Sequence, residues 1–428
     1  MTRQAVLSRL GTTLLSAQPF FTFTVFLSIF QGVPPLWLSW LIALIPWPVR
    51  FCITGRFTCR TPFDIPILIS TAGMLLGFFL SPDLQLSLPV LHTYLACVLF
   101  YYGVVNNSRA RLGYWVFIAG FLCLILFFLS AWVFIGGTGK QVVFNKWAYE
   151  LGSLLPHPLS IAPNCNVLGG VFAVVIPSLV AITLSRQRAW IRWSSGILAA
   201  VFGGILVLSA SGSGWIATAI GIFIVLLLRS VKIAGYTLLA AGATIGATFP
   251  LWHNANWRGV VFPIESLLYR VEMWKATIAA LRDSPLTGLG LGGWWSKLPM
   301  YNPLGGPHNA YLQLYSDTGA LGFTGFIIGA IVSVKLFYQI LRSDKSSPYY
   351  GIAWGIAAGI IAGGIYALVE VNTNVLIDMG GTYLYFAVPL LWLWVALLVV
   401  SCQRLTQDTV KDDKQVPESV TRIGKRHE

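Results

Sequence analysis

The sequence predicts an all-α fold, a polytopic transmembrane bundle of about twelve membrane-crossing helices, and three observations carry that prediction. The 428 residues are 56% hydrophobic and only 10% charged, an apolar share above and a charge share below those of soluble globular domains. The apolar residues fall in long runs, each near the roughly 20 residues that a helix needs to cross a bilayer. The cations gather in every second spacer between those runs, the pattern that orients helices in a membrane. A formal charge of +13 would point to nucleic acid in a soluble chain. Here the cations sit in short spacers with no phosphate-neutralising patch, which argues against a nucleic-acid partner.

Taken in order, the runs centre on 12–30, 34–52, 65–81, 86–104, 113–137, 159–184, 194–210, 214–229, 233–251, 311–340, 350–372 and 380–402. The first follows Arg3 and Arg9 without a small-residue cleavage site, so it reads as a membrane helix and not a removed signal peptide. Only Gln31-Gly-Val-Pro-Pro separates the first two runs, and Ser211-Gly-Ser-Gly214 the seventh and eighth, so a count of about ten or eleven is the alternative. Arg56 and Arg60, Arg109 and Arg111, Arg186, Arg188 and Arg192, Arg229 and Lys232, and Arg342 and Lys345 mark one side, with both termini, as cytoplasmic. The opposite spacers carry cations in two places: 138–158 with Lys140 and Lys146, and 252–310 with Arg258, Arg270, Lys275, Arg282 and Lys297. External cations do not help topology, so these point to an anionic ligand. Residues 1–403 form the transmembrane domain, 252–310 its large late periplasmic loop, and 404–428 a polar, disordered cytoplasmic tail. Glu370 and Asp378 border the eleventh run and Asp64 the third; each reads first as a helix-end or interface residue. The six cysteines show neither metal spacing nor a disulfide framework, and no metal site or cofactor is predicted.

Within the external loop, Ile264–Leu281 repeats apolar residues at helical spacing, Leu267, Val271, Trp274, Ile278 and Leu281, and predicts an amphipathic helix outside the membrane. Arg270 and Trp274 are four apart and share a face, placing a guanidinium beside an aromatic surface. The alternative for Arg270 is an ion pair with Glu272 or another carboxylate. Asp283-Ser-Pro-Leu ends the helix, and Thr287–Gly293 reads as a flexible turn whose glycines let backbone approach a ligand. With no preceding strand, that run is not a nucleotide fingerprint. His308 opens the tenth run, either as a satisfied interface residue or as a proton-handling group. Asn309, Tyr311 and Gln313 nearby and the external arginines favour the second.

The ordered set Arg270-x3-Trp274, Pro285-Leu-x-Gly-Leu-Gly290, His308-Asn-x-Tyr-Leu-Gln313 and Asp317-x-Gly-x-x-Gly322 resembles the signature of the O-antigen ligase and polymerase family. Thr61-Pro-x-Asp64 and Pro163-Asn-x-Asn166-x-Leu-Gly169 extend the likeness more loosely. The resemblance implies a metal-independent, inverting glycosyltransferase with no cofactor. Its expected partners are an undecaprenyl-diphosphate-linked glycan donor, a glycolipid or glycan acceptor, and membrane lipids. It would sit in the cytoplasmic membrane and work at the periplasmic face, in lipopolysaccharide or other surface-polysaccharide synthesis; ligase and polymerase both remain open. The resemblance implies His308 as the base or acceptor-orienting residue and Arg270 as the diphosphate clamp. Trp274, Lys275, Arg282, Asn309, Tyr311 and Gln313 are the accompanying substrate-binding candidates. Where the family often has Ser-Arg-Gly, this chain reads Ser211-Gly-Ser-Gly-Trp215, with Gly212 in place of a second arginine. Arg258 is the first candidate to replace it. A protein-directed oligosaccharyltransferase is disfavoured by the short tail. Of the other classes, a transporter of a small anion such as bicarbonate is disfavoured by the lack of an intramembrane charge ladder, and an inactive envelope-assembly scaffold is favoured only by Gly212.

Overall fold

The computed structural model describes residues 13–31, 35–107, 165–208, 211–252, 264–300, 306–370 and 387–415, and among these residues the regular secondary structure is all helical. The elements run α1 (Gln18–Gln31), α2 (Leu36–Leu44), α3 (Pro46–Thr54), α4 (Asp64–Phe79), α5 (Leu84–Asn106), α6 (Cys165–Thr183) and α7 (Ala189–Leu208). They continue with α8 (Gly212–Arg229), α9 (Val231–Trp252), α10 (Ile264–Leu281), α11 (Gly293–Lys297), α12 (Ala310–Arg342), α13 (Tyr350–Tyr366) and α14 (Ala387–Gln415). The apolar run at 113–137 lies outside the described residues, as do parts of those at 159–184, 194–210, 350–372 and 380–402; the described part of every other run is helical, with 34–52 divided between α2 and α3. Among the described residues six helical stretches are long and apolar enough to cross a membrane: Leu36–Thr54, Leu84–Asn106, Ala189–Val207, Gly212–Arg229, Ala310–Arg342 and Leu390–Gln407. The chain is a multi-pass membrane protein.

Two packing centres position the site. In the first, α13 is enclosed by α6, α8 and α14, and residues 352–359 are buried without interruption. Small residues let these backbones touch: a Cβ on Gly359 would stand 2.2 Å from the carbonyl oxygen of Val174. Polar groups inside are spent on one another. Trp394 Nε1 donates to Ser178 Oγ at 2.9 Å, and that hydroxyl donates to the carbonyl of Gly355 at 2.9 Å. In the second centre α4 crosses α12 at glycine contacts. A Cβ on Gly73 would stand 2.2 Å from the amide of Gly322, and one on Gly77 2.1 Å from the carbonyl oxygen of Asp317.

Helix α12 is not continuous. Gly319 has φ 63° and ψ −167°, which splits it into a short arm, 310–318, and a long apolar shaft. At such a break the amide of Ala320 and the carbonyl of Ser316 lose the i→i−4 bond they would share, and buried backbone groups must find other partners. The loop after α10 supplies both: Ala320 N donates to Leu286 O at 3.0 Å, and Leu289 N donates to Ser316 O at 2.7 Å. Residues 286–289 are thus inserted into the gap in the helix.

That insertion corrects the reading of the glycine-rich run as a flexible, ligand-cradling turn. Residues 288–294 are buried, and a Cβ on Gly288, at φ +70°, would fall 2.4 Å from Ser316 O. Its glycines admit helix backbone. Helix α10 spans the residues expected of it, but its apolar stripe is not its buried face. Met273, Thr277 and Leu281 are buried, whereas Leu267 and Ile278 are 50% and 47% exposed. Of the stripe only Leu281 is buried and Val271 and Trp274 are partly so, because the buried side is centred roughly 80° away around a helix of 3.6 residues per turn.

Candidate active site

The short arm of α12 begins in an unusual local structure. Asn309 is its N-cap, accepting from the amides of Tyr311 and Leu312, each at 3.0 Å. Immediately before it, His308 has φ 45°, and it is the non-glycine residue with positive φ among those described. Such a conformation costs about 1–3 kcal/mol and persists where its surroundings over-determine it. They do so here. Trp274 Nε1 on α10 donates to Pro307 O at 2.8 Å, Ala310 N donates to Ala367 O at 2.9 Å, and the Tyr311 hydroxyl donates to Gly364 O at 2.6 Å. The histidine is clamped between α10 and the end of α13.

The turn after α13 delivers the group at the centre of the site. Ala367 N bonds back to Gly363 O and Glu370 N to Tyr366 O, so the chain stays wound through 370 and carries the Glu370 carboxylate inward. One oxygen of Glu370 accepts from the Arg270 guanidinium, and the other lies 3.0 Å from His308 Nδ1. The carboxylate side chain is 4% exposed, against 17% for Arg270 and 19% for His308. An ionised carboxylate only accepts, so Nδ1 carries the proton of this bond, and in the neutral ring the lone pair then sits on Nε2. A buried carboxylate with each oxygen held by a donor is fixed in place, and it fixes both partners with it.

Sequence reasoning chose two members of this cluster and missed the third. The alternative for Arg270 holds in part, since its carboxylate is Glu370 and not the exposed Glu272. Glu370 had the outward appearance of a helix-end residue. Asp64, read the same way, is one: it accepts from Thr61 N at 3.0 Å, Thr61 Oγ1 at 2.6 Å and the Tyr102 hydroxyl at 2.9 Å at the start of α4. A usable signal was present for Glu370. On the topology expected from the sequence, runs ten and eleven cross in opposite senses, so the start of one and the end of the other share a side, and an arginine and a histidine expected on that side call for a carboxylate.

The remaining candidates divide. Trp274 stands in the cluster through its bond to Pro307. Asn309 and Tyr311 make the helix start and its tie to α13, and Gln313 turns inward, its Nε2 2.9 Å from Asp317 Oδ1. Lys275 and Arg282 are exposed. Lys275, five residues past Arg270, points roughly 140° away from it around the helix. Arg258 and Asp378 lie outside the described residues. Next to Gly212, where the resemblance expects an arginine, Ser211 caps α8 through Gly214 N at 3.3 Å, and its hydroxyl lies 3.4 Å from Asn166 Oδ1. The Tyr366 hydroxyl, from the residue whose carbonyl accepts from Glu370 N, donates to Asn166 O. Among the described residues no group of three or more His, Cys, Asp and Glu side chains could hold a metal ion.

With this geometry in view, residues 197–327 match the family model described as O-antigen ligase, a span that holds Arg270 and His308 but ends before Glu370. A Haemophilus influenzae strain Rd protein, described as uncharacterized, is 25% identical over 231 residues, 47% of this chain and 57% of that protein.

Proposed function

We propose that the protein transfers a saccharide from an undecaprenyl-diphosphate-linked donor to a glycolipid or glycan acceptor at the outer face of the cytoplasmic membrane, a reading supported by the match of residues 197–327 to the O-antigen ligase family model. One observation carries the reading: Glu370 holds the Arg270 guanidinium and the His308 imidazole in a single cluster. A transferase of this kind needs a base for the acceptor hydroxyl and positive charge for the leaving diphosphate. In the reaction, the acceptor oxygen attacks the anomeric carbon while the bond from that carbon to the diphosphate oxygen breaks. The hydroxyl proton passes to His308 Nε2, and Glu370 stabilises the imidazolium that results. The bond's electron pair leaves on the diphosphate, where the remaining N–H groups of the Arg270 fork stabilise it. Displacement from the opposite face inverts the anomeric centre, and no step draws on a metal.

Arg258 is the proposed second cation of the diphosphate site. Lys275 and Arg282, exposed on the outer side of α10, act at longer range by raising the local concentration of the anionic donor.

The test is purified protein in proteoliposomes with undecaprenyl-diphosphate glycan and candidate acceptors, following glycan transfer and release of undecaprenyl diphosphate. His308→Ala and Arg270→Ala each abolish transfer while membrane insertion is kept. Wild-type rates in either variant sink the assignment, full transfer by Arg258→Ala removes that residue from the site, and solute flux without transfer favours a transporter.

A further inference from the structure

The reacting groups stand on separate supports, Arg270 on α10 and His308 at the tip of the α12 arm, and residues 282–298 join the two. We infer that this segment is a rigid brace that sets the separation of Arg270 and His308, and that Asp317 is the positioning residue at its α12 end.

The brace is anchored on α10 by Trp294, which is fully buried. It packs with Leu281, Leu289 and Leu298, and its Nε1 donates to Thr277 Oγ1 on α10 at 2.8 Å. It is anchored on α4 and the turn after it, where Leu291 N donates to Gly77 O at 2.9 Å and Ser81 Oγ donates to Leu291 O at 2.7 Å. On α12 it enters the gap at Gly319 through Leu286 and Leu289, and Tyr315 on the arm donates its hydroxyl to Pro285 O at 2.6 Å. Asp317 closes this end. Its Oδ1 accepts from Gly292 N of the brace at 3.3 Å and from Gln313 Nε2 of the arm at 2.9 Å, and Gln313 N in turn donates to Asn309 O, next to His308. One buried oxygen therefore ties the brace to the helical turn that presents the imidazole. Nothing in this chain of bonds touches a reacting atom. It governs geometry, and misplacement by about 1 Å at a reacting group can cost about 100-fold in rate.

The role rests on the transferase reading for its kinetic test, and it has a second readout that does not. Asp317→Asn keeps an amide oxygen that can accept from both Gln313 and Gly292; Asp317→Ala removes it. Asp317→Asn is expected to keep turnover within about threefold of wild type, and Asp317→Ala to lower kcat about 10-fold or more with donor KM within about twofold, the signature of lost transition-state geometry. Hydrogen exchange followed by mass spectrometry should show faster exchange in peptides covering 286–292 and 306–312 in Asp317→Ala only. If Asp317→Asn loses as much turnover as Asp317→Ala, the carboxylate acts through its charge and the brace role falls. If Asp317→Ala exchanges like wild type, the role also falls, even where His308→Ala shows the transferase reading to be sound. The stated exchange pattern in a protein that never transfers glycan upholds the brace and removes the reading.

Discussion

The glycine-rich loop at 287–293 and the turn at 367–370 look, in the sequence, like a ligand cradle and a helix end. In the structure they change places. The loop, buried from 288 on, enters the break of α12 and packs against α4 and the turn after it, whereas the turn carries the carboxylate that joins Arg270 to His308. The difference teaches that glycine marks close approach without saying what approaches. A single carboxylate at the edge of an apolar helix acquires its meaning from which cations its side of the membrane offers.

The largest effect should come from the turn. Glu370→Gln preserves shape but removes the charge that holds the guanidinium and stabilises a protonated imidazole, so transfer should fall by about 100- to 1,000-fold, within the range for general acid–base groups. Thermal unfolding of the purified protein should register a loss of about 2 kcal/mol for the charged hydrogen bonds weakened. The comparison breaks if transfer per folded molecule is unchanged, because the turn would then be as structural as the loop.

The loop should fail differently. Gly319→Ala forces a Cβ to 2.2 Å from Leu286 O at φ 63°, and Gly288→Ala meets the same obstruction from the other side. A positive-φ backbone costs alanine about 1–3 kcal/mol, and overpacking adds about 1–3 kcal/mol. Yield and unfolding temperature should therefore drop in both variants. An increase in donor KM with unchanged unfolding temperature in Gly288→Ala would restore the ligand-cradle reading and overturn the packing one.

Much of the fold is legible in the sequence. Apolar runs gave the helices, because a membrane helix has to be apolar along its whole length, and spacing gave the bounds of α10. The direction in which α10 faces was not legible: Leu267 and Ile278 remain exposed while Thr277 is buried against Trp294. A helix with apolar surroundings on more than one side has no single stripe to read. The kink at Gly319 was also hidden, since its cause is the insertion of Leu286 and Leu289, which lie some thirty residues away in the chain. Chemistry-bearing types such as His308 and Arg270 stood out by rarity. Glu370 did not, because its role exists only in the pairing of helix ends.

The smallest effect separates contact from attraction within α10 itself. Arg270 is held by Glu370 at the buried side, while Lys275 and Arg282 are exposed on the outer side. Charges of the second kind draw an anionic donor towards the site through solvent, an effect screened once the Debye length shrinks to about 3 Å near 1 M salt. A Lys275→Gln/Arg282→Gln double variant should therefore lose about threefold in kcat/KM at low ionic strength, with kcat unchanged, and converge on wild type as salt is raised. Contact with the leaving diphosphate would instead lower kcat, and the deficit would survive in high salt, because a charge that touches the transition state is not screened from it. That outcome would draw Lys275 or Arg282 into the Glu370 cluster and require α10 to turn when the donor binds.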